Sequence, residues 1–400
     1  MRSILSSSWK LLTSFGLSCV LLITLGVLTW LGTLEQQQSG LFEVQQRYFE
    51  SWLVVSRYFG PPIPLPGATL VMVVLFANLV LGGIVRMRKG WATAGILVTH
   101  CGILFLLVAA LVKFQFSHDG HTTLYEGEGS NTFDSYNHWE LALLEKLPDG
   151  SIRESVAAQA TFDDATPSAP ARLKSDAFPF ELEVTQFVPN GRVFPKGPMV
   201  KAELPVIDGY FIDRLALDPQ NEANVAGAYV ALVERENGAR RPAILWGAAS
   251  YRAPNDERER RLGAPWTVAV AGRTFGIVLR RERYSMPFTV ALDDFKKEDH
   301  PRLDMAKAFS SDVTVIEGAS TRAVKISMNE PLRAGGLVVY QAGWGPDGAP
   351  PGTPLFSTLA VVHNPADQYP LYACIVIAVG LSLHFARKLM RHIRSEAHAS

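Results

Sequence analysis

Residues 91–112 read WATAGILVTHCGILFLLVAALV, an apolar run without a formal charge. As a helix rising 1.5 Å per residue, it is long enough to cross a hydrocarbon core about 30 Å thick. Three further stretches have the same property: Leu11–Leu34, Leu65–Val85 and Tyr369–Phe385. The last is shorter, and Ser382 and His384 make it less apolar, yet it clears the lower limit for a span. The first is too long for the apolar part of a secretory signal, and no small-x-small cleavage site follows it, so it is read as a retained span. The expected fold is an integral membrane protein with four transmembrane α-helices. Three lie in residues 1–112, and one opens the C-terminal segment 369–400, which ends in a short basic tail.

Short basic flanks set the orientation. Arg2 and Lys10 precede the first span, Arg86, Arg88 and Lys89 lie between the second and third, and Arg387, Lys388, Arg391 and Arg394 follow the fourth. The positive-inside rule places these clusters, and both termini, in the cytoplasm. Residues 35–64 and 113–368 must then be exported. The expected location is a bacterial inner membrane, crossed several times, with the large domain on the outer, periplasmic side.

The chain has 38 basic and 38 acidic side chains and no net charge. A nucleic-acid-binding protein would carry a basic excess. Its three cysteines, Cys19, Cys101 and Cys374, all fall in apolar spans. With no exported thiol and no C-x-x-C, the chain cannot itself carry out thiol–disulfide exchange outside.

Residues 113–368 read as a mostly-β, sandwich-like domain. Short runs rich in β-branched and aromatic residues occur at Phe180–Phe187, Tyr229–Glu234, Trp266–Val270, Phe275–Leu279, Phe288–Leu292, Val313–Ile316, Ala323–Met328 and Leu337–Ala342. Turn formers such as Asn190-Gly191 and Asn237-Gly238 separate them, and Gly345–Pro354 is read as a loop. A weak repeat relates Pro179–Phe187 to Pro287–Phe295, both of the form Pro-Phe-x-apolar-x-apolar-x-x-Phe. Two related β units divided near residues 250–262, with charged Arg252–Arg261 as linker, would explain it. The simpler alternative is that alternating strands often begin this way.

No phosphate loop, G-x-S-x-G, H-E-x-x-H or zinc spacing is present. His118, His121, His138 and His363 flank the exported region and could gather a metal, but ordinary solvated loop positions account for them. His384 lies three residues before Arg387, near the cytoplasmic interface. His100 is different. Counted from Lys89 it sits about 16 Å up the helix axis, roughly mid-bilayer. Ionisable residues at that depth default to a functional hypothesis. A proton relay, an intramembrane hydrogen bond and axial ligation of haem iron all remain open on this reading. Gly95, Thr99 and Gly102 nearby would let another helix or a flat ring approach closely.

Several stretches in order resemble the ResB family of cytochrome c biogenesis proteins, which belong to the haem-delivery pathway called system II. They are Leu31-Gly32-Thr33-Leu34-Glu35-Gln36, Leu97-Val98-Thr99-His100-Cys101-Gly102 and Leu124-Tyr125-Glu126-Gly127-Glu128. They continue through Pro287–Phe295, Ser311-Asp312-Val313, Met328-Asn329-Glu330-Pro331-Leu332, Val339-Tyr340-Gln341-Ala342 and Val361-Val362-His363-Asn364-Pro365.

The resemblance implies a non-catalytic subunit of a holocytochrome c synthase complex that carries haem across the membrane to exported apocytochrome c. The partner would be a ResC (CcsA)-like membrane protein, whose tryptophan-rich segment is absent here. His100 would be the axial ligand of a b-type haem, transiently bound and shared with that partner. A separate thioredoxin-like protein would supply reducing power. The alternative is a membrane-anchored β-domain scaffold or transport accessory protein, with His100 as a packing residue.

Overall fold

In the computed structural model, residues 8–250, 263–299, 306–346 and 353–397 are described. The chain divides into two compact units, Met1–His118 with His363–Ser400, and Asp119–Val362.

The first unit contains four helices long and apolar enough to cross a membrane. Helix α1 (Phe15–Ser39) starts where Ser14 accepts a hydrogen bond from the Leu17 N–H at 3.1 Å, satisfying one of the free amides of a helix start. The short helix α2 (Leu41–Val44) widens into a π-turn at Gln45–Phe49 and leads to a hairpin of β1 (Leu53–Ser56) and β2 (Ile63–Pro66). Helix α3 (Ala68–Asn78) continues as a π-helix through Leu79–Val85. Helix α4 covers Ala94–Phe116 and helix α5 Tyr369–Ala397.

These boundaries differ from the expected ones for local reasons. The second span begins after Pro64 and Pro66, which pair within the hairpin as strand residues. The third begins at Ala94, because a turn closed by Thr93 N–H on the Gly90 carbonyl precedes it. The fourth runs beyond Phe385, since Ala, Arg, Lys, Leu and Met after it are strong helix formers. The basic residues 387–394 are therefore helical rather than a tail.

The second unit is built of strands, with only short 3₁₀ turns as helix among its described residues. They are β3 (His118–Tyr125), β4 (Gly129–Lys146), β5 (Ile152–Ala158), β6 (Ala171–Leu173), β7 (Phe180–Val188), β8 (Gly191–Pro195), β9 (Tyr210–Arg214), β10 (Gly227–Glu234), β11 (Arg240–Trp246), β12 (Trp266–Val270), β13 (Arg273–Asp299), β14 (Ala306–Glu317), β15 (Ser320–Ser327), β16 (Leu332–Ala334), β17 (Leu337–Gly345) and β18 (Phe356–His363). One sheet runs β11-β10-β7-β6. The larger runs β15-β14-β13-β4-β3-β18-β17-β16, with β12 also on β13 and β5 also on β4.

Two cores result. In the first, alternate residues of β7 (Phe180, Leu182, Val184), β10 and β11 meet Trp139, Leu141 and Leu143 of β4 and Phe275, Ile277 and Leu279 of β13, a sandwich of the two sheets. In the second, the larger sheet curls on itself. Phe288, Val290, Leu292 and Phe295 of β13 pack with Val313, Val315, Val339, Leu359 and Val361. Strands β4 and β13, 18 and 27 residues long, pass through both cores. Where they cross between cores, Arg280 pairs with Glu140 and Glu154. Arg281 donates to the carbonyls of Tyr136 and Asn224, both at 2.8 Å, and lies over the Trp139 ring.

The repeat has a structural basis. In Phe180–Phe187 the apolar positions alternate and then skip a residue, as they do in Phe288–Phe295. A β-bulge absorbs the extra residue in each case, Thr185 opposite Tyr229/Val230 and Asp293 opposite Val313/Asp312. After the bulge the alternation is restored, so Phe187 and Phe295 still face their cores. The charged stretch Arg252–Arg261 lies outside the described residues, as do residues 347–352 of the expected loop.

Candidate functional site

Helix α3 is pinned against the start of α1 by polar side chains. The Asn78 amide donates to the carbonyls of Leu12 at 2.8 Å and Ser14 at 3.1 Å, and its oxygen accepts from the Ser18 hydroxyl at 2.6 Å. One helical face further on, the Arg86 guanidinium reaches Thr13 Oγ1 at 2.9 Å. With Asn78, Gly82 and Arg86 turned to α1, Gly83 is turned to α4.

His100 meets it there. Its Nδ1 lies 2.9 Å from the Gly83 carbonyl oxygen. That carbonyl belongs to the last turn of its helix, where no intrahelical amide follows, so it needs an outside donor. A carbonyl only accepts, which assigns the proton to Nδ1. Nε2 then carries the lone pair, and no hydrogen bond occupies it among the described residues. A backbone carbonyl holding the far nitrogen is the usual way that the tautomer of a ligating histidine is fixed. A Cβ at position 83 would stand 2.9 Å from Nδ1, so only glycine permits this approach without a shift.

Two expectations need correction. Because α4 begins at Ala94, His100 is about 9 Å from the helix start, in the part nearer Arg86–Lys89, with Phe105 at the helix midpoint. The mid-span placement counted from Lys89 assumed helix through residues 90–93. Gly95, Thr99 and Gly102 do admit a helix, but that helix is α5, not a flat ring at His100. A Cβ on Gly95 would stand 2.7 Å from the Gly380 carbonyl, and one on Gly102 would stand 3.0 Å from the Ile377 amide. This face is turned by roughly 130° from His100, at 100° per residue. His384 is part of the same seam, with its backbone against Gly95.

His118, His121, His138 and His363 lie on strands rather than loops. The rings of His118 and His363 stack with centroids 5.4 Å apart, and His121 stacks on Tyr136 at 5.0 Å. Among the described residues no group of three or more His, Cys, Asp or Glu could hold a metal ion. Cys19, Cys101 and Cys374 are free thiols on α1, α4 and α5.

The β unit has a cleft of about 940 Å³ on β3, β4, β13, β17 and β18. Its wall mixes Tyr125, Trp344 and Phe356 with Arg283 and Asp134, which form an ion pair at 3.1 Å. Tyr136 also lines it, its phenol pushed up to about 12 by burial and by the charges of Asp119 and Glu222. Sequence reasoning passed over this cleft because its residues come from five strands. It also passed over Asn78, although a carboxamide in an apolar run is the same kind of signal as His100.

No curated protein matches the chain. Residues 266–351, spanning β12 through β17, match the model of the ResB-like family, and the chain is consistent with a ResB family protein of cytochrome c biogenesis.

Proposed function

We propose that this chain is the ResB-like subunit of a haem-delivery and cytochrome c synthase complex, and that His100 is an axial ligand to haem iron during transfer. The observation that carries the reading is the fixed tautomer of His100, with Nδ1 donating to Gly83 and the Nε2 lone pair left over. The residues fit the group in donor chemistry. A neutral imidazole is a haem ligand, and bound iron would accept that lone pair. The chain supplies one such nitrogen here, so the second ligand comes from a ResC (CcsA)-like partner.

The chain's own contribution is to hold the ring in one orientation and one tautomer, in an apolar setting that excludes water. The β unit then faces the exported apocytochrome. All three thiols are on helices. A separate thioredoxin-like protein therefore keeps the apocytochrome reduced.

The hydrogen bond to Gly83 also satisfies His100 as a packing residue, the role it would have in a scaffold. Co-expression with the partner separates the two. His100→Ala should insert normally, lose most of the co-purifying Soret absorbance and stop c-type cytochrome maturation, whereas His384→Ala should do much less. Full haem and full maturation in His100→Ala at matched expression would remove the ligand assignment and leave the scaffold.

A further inference from the structure

We infer that the β1–β2 hairpin between the first two spans is a membrane-seated element, with its outward face in the lipid at the headgroup–acyl boundary. Three observations lead there.

The first is the distribution of side chains. On the inward face Val54 and Ser56 are buried, the Ser56 and Tyr48 hydroxyls hydrogen-bonding at 2.8 Å. Tyr48 also donates to buried Glu35 at 2.5 Å, and Arg47 pairs with the same carboxylate, so the inward face is fixed to α1. The outward face is apolar too. Leu53 is 74% exposed, Val55 54% and Phe59 55%, with Trp52 beside them. A two-stranded hairpin with one such face uncovered is marginal in water.

The second is continuity with a surface that already faces lipid. The Phe59 ring packs on Trp30 of α1, centroids 6.2 Å apart, and Trp30 is itself 56% exposed. Leu34 is the last apolar residue before Glu35 and the Gln36–Gln38 run. Trp30 therefore lies about 6 Å inside the apolar end of the span. The hairpin tip folds back to that depth, which matches the roughly 5–10 Å seating of interfacial elements.

The third is polarity. Residues 61, 62, 64 and 66 are proline and carry no N–H. The outer strand thus offers few backbone donors to be stripped of water, the usual objection to a sheet edge in lipid. Arg57, at the turn beside Tyr58, is exposed and has no ion-pair partner among the described residues. A cation flanked by aromatic side chains suits the lipid phosphate layer, with its stem running along the apolar surface. The occupant of this face is therefore a phospholipid leaflet rather than a protein.

The test uses the full chain reconstituted in phospholipid nanodiscs, in a background with Cys19, Cys101 and Cys374 changed to Ala. Nitroxide labels are placed at Leu53→Cys and Phe59→Cys, with exposed Lys201→Cys on the β unit as reference. At 53 and 59, collisions with oxygen should exceed those with a polar nickel chelate several-fold, and the order should reverse at 201. Adding Arg57→Glu should reduce the oxygen preference at 59. A nickel preference at 53 and 59 would put the hairpin in water and overturn the inference. Low access to both reagents would mean that protein covers the face, either a second copy or another part of this chain, and would overturn it equally.

Discussion

Gly83 and His100 illustrate how a single missing methyl group shapes a site. The ring reaches the carbonyl because nothing stands between them, and a Cβ would lie 2.9 Å from Nδ1 and 3.0 Å from Leu79 Cδ1. Gly83→Ala should therefore displace the ring and break the hydrogen bond, with an overpacking cost of about 1–3 kcal/mol. The variant should insert and accumulate, yet co-purify with less haem. Wild-type haem content in Gly83→Ala would show that the carbonyl does not set the ligating nitrogen. His100 could be singled out from sequence because a charge-capable residue in an apolar run is costly by itself. Gly83 could not, because its role is set by a contact across 17 residues and by the end of a π-helix.

The elements were legible to the extent that their residues alternate. All eight runs singled out between Phe180 and Ala342 lie in strands, save that Met328 falls just past the end of β15. Phe275–Leu279 and Phe288–Leu292, however, form one strand, β13, since Arg280–Tyr284 between them are polar and still paired. Their charges are met across the ladder by Glu140 and Asp134, a compensation that sequence periodicity does not register. Strand β4 was missed for the same reason.

The bulges make a sharper statement. Deleting Asp293 would remove the extra residue and restore simple alternation, which leaves Phe295 two places after Leu292 and still facing the second core, where it stacks on Trp344. The deletion should therefore keep the packing that Phe295→Ala would lose at a cost of about 3–5 kcal/mol. The check is the midpoint of denaturant unfolding. Removing Thr185 should act likewise on Phe187. A midpoint that falls as far in the deletions as in Phe295→Ala would mean that the bulges do more than keep the alternation in phase.

At the scale of the whole molecule, the four spans were legible from hydropathy and their ends were not. Ends are set by local chemistry, by Ser14, by the prolines before Ala68 and by the turn at Gly90–Thr93. The positive-inside rule predicts the orientation from the basic residues at 86–89 and 387–394, which it assigns to the cytoplasmic side. Reporter fusions at Gly90 and Ser400 should read inside, and one at Gly150 outside. The opposite result at Gly150 would reverse the direction of haem transfer argued above.

Strands β4 and β13 carry a consequence for how the β unit comes apart. Each contributes side chains to both cores, so neither core can melt without disturbing strands of the other. The unit should behave as one cooperative body, although its length would allow two. In native-state hydrogen exchange, the most protected amides of β7 and β14 should open with the same free energy and respond together to denaturant. Separate opening energies would mean that the long strands break at Arg280–Arg283. A shared one means that a load or ligand felt at one core is felt at the other, because the same two strands run through both.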